Sequence, residues 1–181
     1  MKVCTSKAAI FFIVTASCAT AAAQWQFEPT TFMGITLSED VLAQVSECTE
    51  PRPPTLCRQA TATNGEYVLF GLPYIGVTGN QSATVILDEG RLQSMYLAGD
   101  ADSFHGLGQA LTTHYGMPTE RENQLLEMSP GIMFGSEVMT WTGQSMNMQL
   151  RRDPGDPRKY TLSITMLQTA SEFNATAESH H

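Results

Sequence analysis

His105, His114, Cys48, Cys57 and a group of methionines are the side chains of this sequence whose types and spacing invite chemistry. The two histidines stand nine positions apart in a stretch with helical periodicity. On a helix of 3.6 residues per turn that spacing leaves them half a turn out of phase. They therefore cannot share a ligand, and their plain reading is a surface His105 and a His114 at the edge of the apolar stripe. Asp102, Ser103 and His105 are close in sequence and have the residue types of an acyl-transfer triad. A triad also needs its base oriented by a third group and an oxyanion site, and nothing nearby supplies either. Gly-x-Ser-x-Gly, His-Glu-x-x-His and a phosphate-cradling glycine loop are absent from the sequence.

Met128, Met133, Met139, Met146, Met148 and Met166 all fall in the second half of the chain. Clustered thioethers suit Cu(I), a soft ion that favours sulfur. Methionine is also a flexible filler of apolar cores. Met146 and Met148 alternate onto the strand face that carries Trp141, so core packing is the better reading of them. His180-His181 could hold a metal only weakly, and Glu120 and Glu122 read as solvated loop carboxylates. Asn80-Gln-Ser82 and Asn174-Ala-Thr176 are glycosylation sequons, meaningful only in a eukaryotic secretory pathway. No cofactor and no metal site are expected.

The first residues read as a targeting segment. Lys2 and Lys7 make a basic start, Ala8 to Thr15 an apolar run too short to span a bilayer, and Ala21-Ala22-Ala23 a small-residue cleavage site. Residues 1–23 are thus expected to be a signal peptide. Its removal from 181 residues leaves 158, with 24–167 a single domain and 168–181 a polar tail. Thr15-Ala16-Ser17-Cys18 loosely resembles a lipoprotein box, which keeps a lipid anchor at Cys18 as a minor alternative. Without Lys2 and Lys7 the chain carries 8 basic and 18 acidic residues, a net charge of −10. Such acidity disfavours nucleic acid and anionic lipid, and a charged partner would be basic. No basic patch with interleaved aromatics is present, so nucleic-acid binding is excluded, and no stretch reads as a membrane span.

Cys4 and Cys18 leave with the signal segment. Cys48 and Cys57 then enclose a proline-rich loop and are expected to form a structural disulfide. Their spacing is not the Cys-x-x-Cys of a redox pair, and two sulfurs without a nearby histidine do not make a zinc site.

The best-marked element is a helix over 102–115. Phe104, Leu107, Leu111 and Tyr115 recur at helical spacing, with Gly108 on the same side. Asp102 or Ser103 can cap its start, and Gly116 and Pro118 stop it. Phe32 to Leu37 reads as a short strand, and Ser38 as the cap of a first helix over Glu39–Glu47. Ala60 to Gly65 looks turn-like, Tyr67 to Leu72 a strand, and Tyr74 to Val77 a further extended piece. Ala83–Leu87 and Arg91–Leu97 form a hairpin. A three-residue turn, Asp88-Glu89-Gly90, spares Glu89 a positive φ and pairs Ile86 with Leu92; the buried face is left open. Beyond a strand over Asn123–Met128, Glu137–Thr142 and Ser145–Arg151 make a second hairpin about a Gly143-Gln144 turn. That turn pairs Trp141 with Met146, Met139 with Met148, Thr140 with Asn147 and Val138 with Gln149. Tyr160 to Met166 is the last strand. One apolar and one polar face are expected, with Val138, Thr140, Asn147, Gln149 and Arg151 on the solvated face as the candidate binding residues.

The fold class is therefore α+β: a mainly antiparallel sheet with two helices packed on one face, in an order that reads as a tandem helix–strands arrangement. No residues align between the halves. Signal segment, helix–strands twice and the disulfide loop after the first helix resemble the β-lactamase-inhibitor-protein architecture, while the Tyr115-Gly116-Met117-Pro118 helix stop followed by a strand with Trp141 is similar to many exported bacterial proteins. The layout is also similar to the small outer-membrane lipoprotein domains of the SmpA/OmlA type. One disulfide rather than two departs from the inhibitor protein. The resemblance implies a sheet face that binds another protein. The leading expectation is an exported periplasmic or secreted binding module, such as an inhibitor or immunity protein for a basic partner. An envelope enzyme with His105 or His114 as base, and methionine-based copper binding, are the alternatives.

Overall fold

A computed structural model describes residues 25–50, 55–75 and 82–167. The expected signal segment 1–23, the tail 168–181 and positions 76 and 77 lie outside these residues. Two short strands, β1 (Thr31–Phe32) and β2 (Ile35–Thr36), pair with each other and lead to a helix, α1 (Val41–Gln44). Four strands follow: β3 (Cys57–Ala60), β4 (Glu66–Phe70), β5 (Ser82–Asp88) and β6 (Arg91–Asp100). A 3₁₀ turn (Ala101–Ser103) opens α2 (Phe104–Tyr115), which precedes β7 (Glu120–Ser129), β8 (Ile132–Thr142), β9 (Met146–Arg152) and β10 (Lys159–Met166).

The last eight strands form one antiparallel sheet in the order β3-β4-β5-β6-β10-β9-β8-β7. Each half is a four-stranded meander preceded by a helix, and the halves join where β6 pairs with β10. The two helices have four and twelve residues, so the correspondence is one of element order.

Register across the sheet builds the core. One line of paired residues runs Tyr67, Val85, Met95, Ile164, Met148, Trp141, and the next runs Leu69, Ala83, Leu97, Leu162, Leu150, Met139. All but Tyr67 are buried. Over this face pack Phe104, Leu107 and Leu111 of α2, together with Trp25, Phe32, Ile35, Leu37, Val41 and Val45 from the first segment. Removing such side chains from water stabilises by about 1.5–3 kcal/mol each. Gly108 lets α2 approach: a Cβ there would meet the Met139 Cε at 2.9 Å.

Several local expectations are corrected. α1 is a single turn, capped by Asp40 rather than Ser38; Asp40 Oδ1 accepts from the N–H of Leu42 at 2.7 Å and of Ala43 at 3.3 Å. It ends early because residues 46–48 run along β3: the Arg58 N–H donates to the Ser46 carbonyl, and the Cys48 N–H to the Arg58 carbonyl. The Cys48–Cys57 disulfide is formed at the same place. Cys57–Ala60 is thus a strand that was not expected, and the turn-like chain expected from Ala60 begins one residue later, at Thr61. Phe32–Leu37 is divided by a turn at Met33-Gly34, both at positive φ. Ser103 makes no capping hydrogen bond; the 3₁₀ turn stands before α2 instead.

The β5–β6 turn has two residues, with Asp88 paired to Arg91 and Leu87 to Leu92. Glu89 does take a positive φ, 48°. Two contacts hold it there: the Val41 N–H donates to the Gly90 carbonyl at 2.8 Å, and the Asp40 carboxylate lies against Gly90. The register shift between Ile86 and Leu87 leaves Gln93 without an opposite number, so Leu92 and Met95 are both buried. The β8–β9 register is two residues from the expected one: Trp141 pairs with Met148 and Thr140 with Gln149. A shift of two preserves the faces.

Candidate functional site

The face of the sheet turned away from α2 carries short polar side chains. One line of partners crosses all eight strands: Gln59, Val68, Thr84, Tyr96, Ser163, Gln149, Thr140, Glu120. A neighbouring line runs Ile86, Ser94, Thr165, Asn147, Thr142, and another Ala98, Thr161, Arg151. Tyr96 stands near the middle of this platform, 40% exposed, between Thr84 and Ser163. The hydroxyl and amide groups are partly tied to one another: Gln149 Nε2 donates to Thr140 Oγ1 at 3.3 Å, and Ser163 Oγ to the Gln149 carbonyl at 3.5 Å.

Of the residues expected to bind, Thr140, Asn147, Gln149 and Arg151 share this platform. Val138 does not contribute, since it is only 4% exposed. It and Met139 are both buried, which interrupts the inside–outside alternation of β8. Tyr96 was not indicated by sequence because the buried face of its hairpin follows from the irregularity at Gln93. Asn147 is distinctive in another way. Its Oδ1 is buried and has no protein hydrogen-bond partner among the described residues. Leaving such an acceptor unpaired in a folded protein costs about 1–3 kcal/mol.

His105 lies on the opposite side of the molecule, in an open cleft of about 340 Å³ between α2 and the β7–β8 hairpin. His105, Gln109, Thr112 and Thr113 form one wall, and Arg121 and Met139 the other. Polar groups here engage neighbours. Gln109 Nε2 is 3.0 Å from His105 Nε2, the Thr112 and Thr113 hydroxyls donate to the carbonyls four residues back, and Arg121 pairs with Glu137 at 3.0 Å. These contacts do not assemble a nucleophile, a base and an orienting acid. His114 is exposed, and its ring lies beside that of Tyr115. Among the described residues no group of three or more His, Cys, Asp or Glu is placed to hold a metal ion. Met139, Met146 and Met148 lie in the core, while Met133 is exposed on the β7–β8 hairpin. Among the described residues, too, no helix is long and apolar enough to cross a membrane.

No family model, no curated protein and no solved structure matches the chain.

Proposed function

We propose that this protein is a periplasmic or secreted binding module that docks a basic protein partner on the polar face of its sheet, as an inhibitor or immunity protein would. The observation that carries this reading is the platform itself: Tyr96 raised among Thr84, Ser163, Gln149 and Thr140 on five adjacent strands. Tyrosine suits such a centre, because its ring supplies contact area, its hydroxyl a polar tip, and little rotamer entropy is lost on binding. A rigid sheet holds those groups in place before the partner arrives, which lowers the ordering cost of association. Acidic residues exceed basic ones by 18 to 10 over the whole chain, and that field would draw a basic partner. The Cys48–Cys57 disulfide is consistent with a location outside the cytoplasm. The resemblance of the sequence layout to the inhibitor-protein architecture, by analogy alone, favours use of a sheet face.

The test is affinity capture from an envelope extract with the unaltered protein and with its Tyr96→Ser and Gln149→Ala variants. The expected result is a basic protein retained at low salt, released at high salt and lost with Tyr96→Ser, while circular dichroism shows the fold intact. Equal capture by all three proteins would sink this reading.

A further inference from the structure

The two edges of the eight-stranded sheet are treated differently. β3 is four residues long, and its outer side is occupied by residues 46–48 through the Ser46, Cys48 and Arg58 backbone hydrogen bonds. β7 is ten residues long and ends the sheet, with no strand beyond it among the described residues. Its pairing with β8 is regular from Glu120 to Glu127, and it contains neither proline nor lysine. Charged side chains, proline and bulges are the usual devices that keep such an edge from pairing. Here the register irregularity falls only past Glu127, and the charges of both signs at Glu120, Arg121, Glu122 and Glu127 leave an uncharged stretch, residues 123–126, between them. Beside this edge lie exposed apolar side chains. Leu125 is 71% and Met133 54% exposed, on the same face of the hairpin, and Gly135 opposite Leu125 has open space where a side chain would be.

We infer that the β7 edge is a homodimer interface, in which two copies pair β7 with β7 antiparallel about a two-fold axis through Gln124. The charge order along β7 selects a second copy as occupant. Arg121 and Glu127 are each three positions from Gln124 and share a face with Leu125. Within its own chain Arg121 also holds Glu137 at 3.0 Å, and Glu127 Oε1 accepts from the Gly131 N–H at 3.0 Å. A two-fold at Gln124 sets each Arg121 opposite the Glu127 of the other copy. The same register puts Glu122 opposite Leu126 and Asn123 opposite Leu125, so none of these pairs opposes like charges. The two Leu125 side chains become diagonal neighbours across the axis, within reach of each other, and the exposed apolar surface of both hairpins becomes continuous. Centring on an even-numbered or odd-numbered residue keeps the faces aligned. Only the centre at Gln124 forms both Arg121–Glu127 pairs. An isologous contact of this kind closes on itself and leaves no further β7 edge exposed.

The test is sedimentation of the purified protein, with its disulfide intact, over a concentration series. The expected species has twice the single-chain mass, and Leu125→Lys weakens it by about tenfold or more. Tyr96→Ser, on the other face of the sheet, leaves it unchanged. Gln124→Cys cross-links the two copies on oxidation, because directly opposed residues in an antiparallel pair lie within disulfide range. Asn123→Cys does not. A monomer at every concentration overturns the proposal, whether the edge is bare or covered by another part of the chain. So does a dimer that Leu125→Lys leaves intact, and cross-linking through Asn123→Cys in place of Gln124→Cys overturns the register.

Discussion

The indole Nε1 of Trp141 donates to the carbonyl of Gly116 at 2.9 Å, across the end of α2. Trp25 does the same for the adjacent carbonyl, Tyr115, at 2.6 Å. Helices leave their last carbonyls without an internal partner, and here the only two tryptophans of the chain supply them. Trp141 belongs to the sheet and Trp25 to the first segment, so the helix end is tied to both. Trp141→Phe keeps most of the ring and removes the donor. The expected loss is about 1–3 kcal/mol in urea denaturation, the range for leaving a part-buried polar group unpaired. An unchanged midpoint would mean that water reaches the Gly116 carbonyl in place of the indole.

Glu28 determines the second hairpin from 116 residues away. Its carboxylate accepts from the N–H groups of Gln144, Ser145 and Met146, each at 2.8 Å, and from the Ser145 hydroxyl at 2.5 Å. Partial burial raises its pKa, but the hydrogen bonds from the Ser145 hydroxyl and the three backbone N–H groups outweigh this, and the net shift is downward. The stabilisation is therefore present above the unfolded pKa and is lost as pH falls through the lower folded value. Glu28→Gln should be less stable than the unaltered protein at neutral pH, with the gap closing as pH drops below about 4.3. Urea melts at a series of pH values measure this. A gap that does not depend on pH would show that the charge of Glu28 is not what holds the turn.

That contact also explains which parts of the fold could be read from sequence. The alternation in Tyr160–Met166 and the spacing of Phe104, Leu107 and Leu111 are local signals, and both reappear as buried faces. The turn at Gln144-Ser145 could not be placed from its own residues, because Glu28 fixes it from outside the hairpin. The same holds for Glu89, kept at positive φ by contacts of α1 with Gly90, and for α1 itself, cut short by the strand-like course of residues 46–48. Thr140, Asn147, Gln149 and Arg151 were legible as a solvated face from period-two alternation alone. Val138 was not separable from them, since its burial depends on how β8 departs from that alternation.

The Cys48–Cys57 disulfide closes a nine-residue separation and fastens the chain after α1 to β3. A link of that length should contribute roughly 2–3 kcal/mol, chiefly by restricting the unfolded chain. Reduction, or a Cys48→Ser/Cys57→Ser pair, should lower the urea midpoint accordingly. Fluorescence of Trp25 and Trp141 would still report one cooperative transition, because the main core does not rest on this link. Separate transitions for the first segment and the sheet would show that the bond holds two weakly coupled parts together.

Asn147 offers a way to separate stability from binding. Its Oδ1 is buried on the platform that carries Tyr96, without a protein partner among the described residues. Valine fits a strand at this position, removes the orphaned acceptor and packs between Thr142 and Thr165. Asn147→Val should therefore raise stability by about 1 kcal/mol. If the platform is the docking face, the same change should weaken partner capture, because the amide is then retained for a hydrogen bond made only in the complex. Stability and capture measured on one variant must move in opposite directions. A more stable protein with undiminished capture would place Asn147 outside the contact, whereas a less stable one would mean that its amide is satisfied in the free protein.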